Sequence, residues 1–226
     1  NPIIIEGFPG IGLVGTIATE FLSESLKAKE VGYLKGKGVP PLVALHNGKI
    51  VKPMSLYYAK KQNILIVHFL SAVPGKEWEI AELLQALSKK LSAQEIICLE
   101  SVGVPGPLEG SSETYYYTSN EKAEKRLKDL GLVELKNGIV MGITSVLMGS
   151  SPCCLTCLFG ETHTKLPDSK AAAGILNVLN NYLKLGIDTA PLLKSAQEFE
   201  KKLKGILESG KQVQKDKAEQ TLSYLG

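Results

Sequence analysis

A glycine-rich segment near the start of the chain has the spacing of a phosphate-binding loop. Gly10, Gly12 and Gly15 spell G-x-G-x-x-G, and they directly follow the apolar run at residues 3–5. Glycines in such a loop let the backbone turn tightly, and they allow the N–H groups of a helix N-terminus to approach a pyrophosphate. The spacing therefore suggests a dinucleotide site as a first hypothesis.

The residues after this loop do not complete a nucleotide motif. A dinucleotide site needs an acidic residue at the end of the second strand to hold the ribose hydroxyls. Glu30 stands at the start of the predicted second strand, residues 31–34, and that strand is followed by the sequence KGKG at residues 35–38. The loop also lacks the Gly-Lys-Ser/Thr ending that grips a triphosphate. We therefore interpret the glycines first as a tight strand-to-helix turn that permits close packing, and we predict no cofactor. Binding of a small anion or another ligand is the alternative.

Carboxylates stand at the ends of three predicted strands, at Glu6, Glu100 and Glu161. The carboxyl ends of strands in an open α/β sheet border the usual ligand crevice, so these side chains can converge. Converging carboxylates can bind ribose hydroxyls or act as acid and base, because like charges raise one pKa. Strand-end acids are equally common as partners of helix caps and lysines. The alternative ligand pocket comprises Glu6, Gly10, Gly12, Gly15, Glu100, Glu161 and His163, and no residue is assigned as catalytic.

The cysteines and histidines do not predict a metal site. Cys154 and Cys157 match C-x-x-C, but residues three apart on a strand point to opposite faces, whereas metal ligands must converge. Buried structural thiols are therefore expected. His46, His68 and His163 are dispersed along the sequence. His68 lies in an apolar strand and is interpreted as a core residue with its hydrogen bonds satisfied.

Composition and charge favour an ordinary globular protein. The 226 residues are 44% hydrophobic and 22% charged, and the net charge is only +3. So small a charge provides no extended basic field, which disfavours nucleic acid and anionic membranes as partners. No apolar run approaches the ~20 residues that cross a bilayer, and the first residues do not resemble a signal peptide. We expect a cytoplasmic protein.

Apolar periodicity predicts alternating strands and helices. Continuous apolar runs at residues 64–70, 96–99 and 154–159 are typical of buried central strands. Helical spacing appears at residues 11–26, 78–91, 121–130 and 168–185, and Asn47-Gly48 between two β-rich runs predicts a hairpin. The pattern predicts an α/β chain with a three-layer α/β/α fold and a mostly parallel sheet with a hairpin insert.

The C-terminal part of the chain has a different pattern. From Pro191 onward an apolar stripe follows helical spacing, at Leu192, Ala196, Phe199, Leu203 and Ile206. At about two heptads, the stripe favours a helix docked on its own domain over an oligomer seam. We predict an α/β/α domain at residues 1–187, followed by a helical segment and tail at residues 188–226.

Two segments resemble the proteasome assembly chaperone 2 (PAC2) family, and in particular its archaeal members. They are residues 7–15, GFPGIGLVG, and residues 166–173, LPDSKAAA, followed by helices. The resemblance implies a three-layer fold related to nucleoside phosphorylases, hence a phosphorylase/hydrolase-like architecture. It also implies homo-oligomer formation and a role in proteasome assembly or in ATP-independent activation of the 20S core. On this interpretation the glycine loop is architecture inherited with the fold.

The resemblance also draws attention to the C-terminal tail. Family members that engage the proteasome core do so through a tail ending in hydrophobic-tyrosine-any residue. Here the last residues are LSYLG, so Tyr224 is third from the end and follows the polar Ser223. The register is therefore shifted by one position. The candidate partner-binding residues are Leu222, Tyr224 and Leu225, preceded by the polar stretch 211–220, and a frayed C-terminus is the alternative.

The sequence thus supports two functional hypotheses. The first is a non-enzymatic, oligomeric binding protein of the proteasome-chaperone type. The second is a small-ligand-binding protein or enzyme, related to nucleoside or phosphate chemistry, that uses the pocket at the strand ends. The absence of a complete catalytic motif favours the first.

Overall fold

A mixed eight-stranded sheet is the centre of the computed structural model, which describes residues 1–36, 38–46, 48–103, 113–150, 154–163 and 166–194. The strands in chain order are β1 (Ile3–Gly7), β2 (Lys29–Tyr33), β3 (Ala44–His46), β4 (Lys49–Val51), β5 (Met54–Ala59), β6 (Ile64–Phe69), β7 (Glu95–Gly103), β8 (Thr114–Thr118), β9 (Val133–Glu134) and β10 (Leu155–Thr162). The order across the large sheet is β2-β5-β6-β1-β7-β10-β8-β9, and β3 and β4 form a separate pair.

The four central strands, β6, β1, β7 and β10, run parallel to one another. In this register Ile4 lies opposite Leu65 on one side and Ile96 on the other. All six residues of β6 are buried, and so are the first six residues of β7. Strands covered by helices on both faces need such continuous apolar runs, so the runs correctly predicted the centre of the sheet.

Helices cover both faces of this sheet. They are α1 (Val14–Ser25), α2 (Glu77–Leu91), α3 (Glu121–Asp129), α4 (Ile143–Ser150) and α5 (Ser169–Leu183). Helices α1, α3 and α5 contribute to one apolar cluster, and α2 and α4 to the other. The predicted three-layer α/β/α architecture is confirmed.

The ends of α5 show how local chemistry sets helix bounds. The carboxylate of Asp168 accepts a hydrogen bond from the backbone N–H of Ala171 at 3.0 Å, which is the N-cap expected for this residue. The helix ends at Leu183 because Lys184 adopts the left-handed conformation, with φ of 55°. The prediction placed this end two residues later, at Leu185.

The hairpin insert and the sheet edges supply the antiparallel pairs. Strands β3 and β4 flank the predicted Asn47-Gly48 turn, with Leu45 opposite Ile50. Strand β2 pairs antiparallel with β5, and β8 pairs antiparallel with β10. The eight-residue helix α4 was not predicted, because its sequence, ITSVLMGS, is too short for a clear period.

The described part of the C-terminal segment contains the start of a helix. A helix starts at Ala190, and Leu192 within it is buried against the larger apolar cluster. The tail residues Leu222, Tyr224 and Leu225 lie outside the described residues, as does most of the predicted segment 188–226. Among the described helices, none has the length and apolar character required to span a bilayer.

Candidate functional site

The glycine segment forms a tight turn between β1 and α1. Gly10 is extended and leads into a single 3₁₀ turn, in which the N–H of Leu13 donates to the carbonyl of Gly10 at 3.1 Å. Gly12 and Leu13 both have positive φ, 68° and 50°, before α1 begins at Val14. The carbonyl of Gly12 also accepts a hydrogen bond from the N–H of Asp168 at 2.8 Å. The turn is thereby tied to the start of α5.

Two glycines of this segment allow α1 to lie directly against the sheet. A Cβ atom on Gly15 would lie 2.2 Å from the carbonyl oxygen of Leu99 on β7. A Cβ atom on Gly7 would lie 2.2 Å from the carbonyl oxygen of Gly15. Real side chains do not approach backbone atoms so closely, so these positions require glycine for packing. This geometry supports the structural interpretation of the glycine spacing.

The sheet order separates Glu30 from the glycine turn. The neighbours of β1 are β6 and β7, whereas β2, which carries Glu30, is an edge strand antiparallel to β5. Glu30 forms an ion pair with Lys52 there. In a dinucleotide-binding fold the acidic residue ends the strand next to β1. The topology therefore does not supply the acidic partner that the G-x-G-x-x-G spacing would need.

Glu6 and Glu100 meet beneath α4. Both project from the same face of the sheet, because each follows the alternation of its strand. The hydroxyl of Thr144, on α4, lies 2.7 Å from Oε1 of Glu100 and 3.3 Å from Oε1 of Glu6. Glu6 has no exposed surface, and Glu100 is 9% exposed. The structure thus joins two buried carboxyl groups through one hydroxyl.

Burial raises the pKa of both carboxyl groups. Desolvation raises the pKa of Glu6 well above its ordinary value, and the nearby charge of Glu100 raises it further. Desolvation also raises the pKa of Glu100 to about 7, against the lowering effect of hydrogen bonds from Thr144 and the backbone of Ser101. Near neutral pH, Glu100 is therefore partly ionised, and Glu6 holds its proton more tightly than an ordinary glutamate does. A protonated Glu6 can donate to the Thr144 oxygen while the Thr144 hydroxyl donates to Glu100.

The other two polar residues of the predicted pocket form a separate contact. Oε1 of Glu161 lies 3.5 Å from Nε2 of His163, and Oε2 of Glu161 accepts from the N–H of Glu113 at 3.2 Å. Glu161 pairs in register with Val102, further along the sheet than Glu100. The structure therefore brings Glu6, Glu100 and Gly10 together, and places Glu161 and His163 beside them toward β8.

A cleft of about 940 Å³ opens beside Glu100. The glycine turn, the end of β7 and the segment 133–141 form its walls, with Tyr115 and Phe159 between them. Its polar lining near the turn includes Glu100 and Ser101. Sequence reasoning missed Ser101 and Thr144, because neither belongs to a motif and α4 itself was not predicted.

The described cysteines and His68 are buried or partly buried. Cys98 and Cys157 are buried neighbours on β7 and β10, and Cys154 is a partly buried free thiol. Within the described ranges, no group of three or more histidine, cysteine or acidic residues is arranged to hold a metal ion. His68 is buried as predicted, with Nδ1 3.0 Å from the Thr19 hydroxyl and a pKa lowered by burial to about 4. Its Nε2 has no hydrogen-bond partner among the described residues, so the expectation of full satisfaction was only half right.

Another buried acid, Glu95, which was not predicted from the sequence, lies at the opposite end of β7 from Glu100. The Tyr182 hydroxyl donates to the Glu95 carboxylate, with both oxygens at 3.1 Å, and the Thr156 hydroxyl donates to the same group. The Arg126 guanidinium lies over the Tyr182 ring at 4.4 Å and donates to the Tyr182 carbonyl. This network ties α3 and α5 to the sheet.

Fold and site together define a three-layer α/β/α protein whose glycine turn packs α1 against the central sheet. The model of the PAC2 family matches residues 4–207, so the chain belongs to the PAC2 family.

Similar proteins from archaea cover nearly the whole chain. PbaA of Pyrococcus furiosus, described as an archaeal homologue of proteasome-assembly chaperone, is 32% identical with a TM-score of 0.84, and the match covers 97% of this chain and 93% of PbaA. PbaB of the same organism, described as an archaeal proteasome activator, is 28% identical with a TM-score of 0.77, over 91% and 93% of the two chains. The uncharacterised protein MJ0106 of Methanocaldococcus jannaschii is 32% identical over 92% of this chain and 86% of its own length.

Proposed function

We propose that this protein is a proteasome assembly chaperone or an ATP-independent proteasome activator, and that it acts by binding rather than by catalysis. The similarity to PbaA is the observation that carries the proposal, because it extends over 97% of the chain at a TM-score of 0.84. The similarity to PbaB, an archaeal proteasome activator, supports the same class of partner. The 20S core or its subunits are the proposed partner, in the cytoplasm.

The C-terminal tail is the proposed contact with the core. The sequence supports this role because the stretch 211–220 is almost wholly polar, while Leu222, Tyr224 and Leu225 place apolar groups close to the terminus. A polar segment can remain solvated while the few apolar residues at its tip enter a pocket on the partner.

A homo-oligomer is the proposed active form. Large apolar side chains are exposed around the hairpin insert, including Leu45 at 76%, Ile50 at 59% and Val43 at 58%. Exposed apolar groups of this size support an association surface. Size-exclusion chromatography with light scattering measures the oligomer directly, and a strictly monomeric mass at micromolar concentration would contradict this part of the proposal.

The functional test measures peptide hydrolysis by purified archaeal 20S core with and without this protein. We expect binding, and a change in hydrolysis rate if the protein is an activator. Deleting residues 222–226 should abolish both effects. Tyr224→Ala should weaken them strongly, whereas the neighbouring Ser223→Ala serves as the matched control and should behave like the unmodified chain.

Loss of binding in Ser223→Ala as well as Tyr224→Ala would contradict the role assigned to the Tyr224 side chain. Retention of full binding after the deletion would refute the tail as the contact. The absence of any complex with the intact chain would refute the proteasome role itself.

A further inference from the structure

The cleft beside Glu100 lies at the topological switch point of the sheet. The chain leaves β1 toward one side, where β2, β5 and β6 lie, and leaves β7 toward the other, where β8, β9 and β10 lie. A crevice forms at the carboxyl ends of two adjacent parallel strands when their connections diverge in this way. Ligands in open α/β sheets usually bind in this crevice. At about 940 Å³, the cleft falls within the size range of small-molecule sites.

Gly10 leaves polar atoms of β7 accessible from this cleft. A Cβ atom at Gly10 would lie 3.2 Å from Oγ of Ser101 and 3.3 Å from Oε2 of Glu100. Both residues line the cleft together with Gly10. The glycine therefore keeps one carboxyl group and one hydroxyl group free of a covering side chain.

Among the residues that the structure describes, no cation is paired with the buried acids behind this opening. Oε2 of Glu6 is buried and has no hydrogen-bond partner among the described residues. The groups that shift the pKa values of Glu6 and Glu100 are, besides burial, Glu100 itself, Cys98, Thr144 and Ser101, and none of these is a cation. A buried carboxylate is costly without a positive charge or several hydrogen bonds. The polar end of the cleft is therefore suited to a positively charged donor.

The rest of the cleft is suited to an apolar body. Ile11, Leu135, Val140, Met141 and Phe159 contribute aliphatic and aromatic surface. The exposed fractions of Ile11 and Met141, 46% and 76%, show that this surface is accessible in the monomer. A ligand that combines an ammonium group with a ring-sized apolar portion matches both ends of the cleft.

We propose that the cleft at the ends of β1 and β7 binds a small organic cation, a primary amine on an apolar body, whose ammonium group donates to Glu100 and to the Ser101 hydroxyl. This site is independent of the proposed tail contact with the proteasome, so either can fail without the other.

Protonation of Glu100 sets the pH dependence expected for such a ligand. Glu6 on β1 and Cys98 on β7 lie on the same face of the sheet as Glu100, and burial raises the pKa of both groups well above its ordinary value. Helix α4 contributes the hydroxyl of Thr144 and contains no titratable residue. The titratable residues of the outer cleft are Tyr115, Glu134 and Lys136, and Glu161 lies beyond them toward β8. With a pKa of about 7, Glu100 is mostly neutral at pH 6 and mostly ionised at pH 8. The affinity for an amine should therefore rise about tenfold between these two pH values.

The experiment uses 2-phenylethylamine as the probe and 2-phenylethanol as its uncharged counterpart, with isothermal titration calorimetry on the full chain. The amine should bind and the alcohol should bind at least about tenfold more weakly. Glu100→Gln should weaken amine binding by about tenfold to a hundredfold and remove its pH dependence. Glu134→Gln removes the same charge from the exposed rim of the same cleft and should change the affinity by no more than about twofold.

Three results would overturn the proposal. The first is no amine binding by the unmodified chain up to about 10 mM at pH 8. The second is equal binding of amine and alcohol. The third is equal weakening by Glu100→Gln and Glu134→Gln. The pH series on the unmodified chain needs no variant, so an amine affinity that does not rise with pH would refute the role of Glu100 even if Glu100→Gln failed to fold.

Discussion

Replacing Glu100 with glutamine should stabilise the protein, but only at pH values above the ordinary pKa of a glutamate. Folding raises the pKa of Glu100 from 4.5 to about 7, because the carboxyl group is buried beside Glu6. Between these values the folded state holds a proton that the unfolded state has released. Stability therefore falls as pH rises through this window and is not reduced further above it.

The magnitude follows from the size of the pKa change. One pKa unit corresponds to about 1.4 kcal/mol, so the change from 4.5 to about 7 costs about 3 kcal/mol at pH 8. Glutamine keeps the shape and can still accept from the Thr144 hydroxyl, but it carries no charge at any pH. Glu100→Gln should therefore match the unmodified chain at pH 4 and exceed its free energy of unfolding by about 3 kcal/mol at pH 8.

Urea unfolding followed by circular dichroism at pH 4, 6 and 8 measures this difference. Glu134→Gln is the matched control, because Glu134 is exposed and its substitution should leave the pH dependence unchanged. The difference in free energy of unfolding between variant and unmodified chain cancels the titration of groups that do not interact with Glu100. A difference that is the same at pH 4 and pH 8, or that is larger at pH 4, would refute the assignment of Glu100 as a buried acid with a raised pKa.

Three further substitutions test other parts of the structure. Gly15→Ala should destabilise the protein by at least about 3 kcal/mol or prevent folding, because its Cβ would lie 2.2 Å from the carbonyl oxygen of Leu99; normal thermal stability would show that α1 does not pack as described. Tyr182→Phe removes a hydrogen-bond donor to the buried Glu95 and should lower the free energy of unfolding by about 1–3 kcal/mol, measured by urea unfolding at pH 7. An unchanged free energy of unfolding would contradict the network around Glu95. The unmodified chain should lose up to about 3 kcal/mol of stability as the pH falls from 6.5 to 4, because burial lowers the pKa of His68 to about 4. His68→Gln should not show this loss. A variant whose stability has the same pH profile as the unmodified chain in this range would contradict the prediction.

The sequence predicted the fold wherever one local pattern determined the structure. Continuous apolar runs identified β6, β7 and β10, and Asn47-Gly48 identified the hairpin. The start of α5, predicted at residue 168, agrees with the observed N-cap Asp168, because capping depends on a single side chain and a backbone N–H three residues later. Helix α4 was missed because eight residues give too little periodicity.

The site could be predicted only in part, because its geometry depends on the order of the strands. The sequence predicts carboxylates at the strand ends, and in the structure Glu6 and Glu100 share the hydroxyl of Thr144. The order of the strands is a long-range property that no local pattern encodes. The sequence therefore did not predict that Thr144 on α4 contacts Glu6 and Glu100, or that Glu161 lies apart from these two residues. Likewise the sequence showed that Glu30 was at the wrong end of its strand, but only the topology showed that β2 is an edge strand.

The most direct test of the central claim is sedimentation velocity of the fluorescently labelled full chain in the presence of archaeal 20S core. We expect the label to sediment with the core, deletion of residues 222–226 to remove this fraction, and Ser223→Ala to leave it intact. Label that sediments only at the rate of the free protein, at core concentrations well above micromolar, would contradict the proposed role in proteasome assembly or activation.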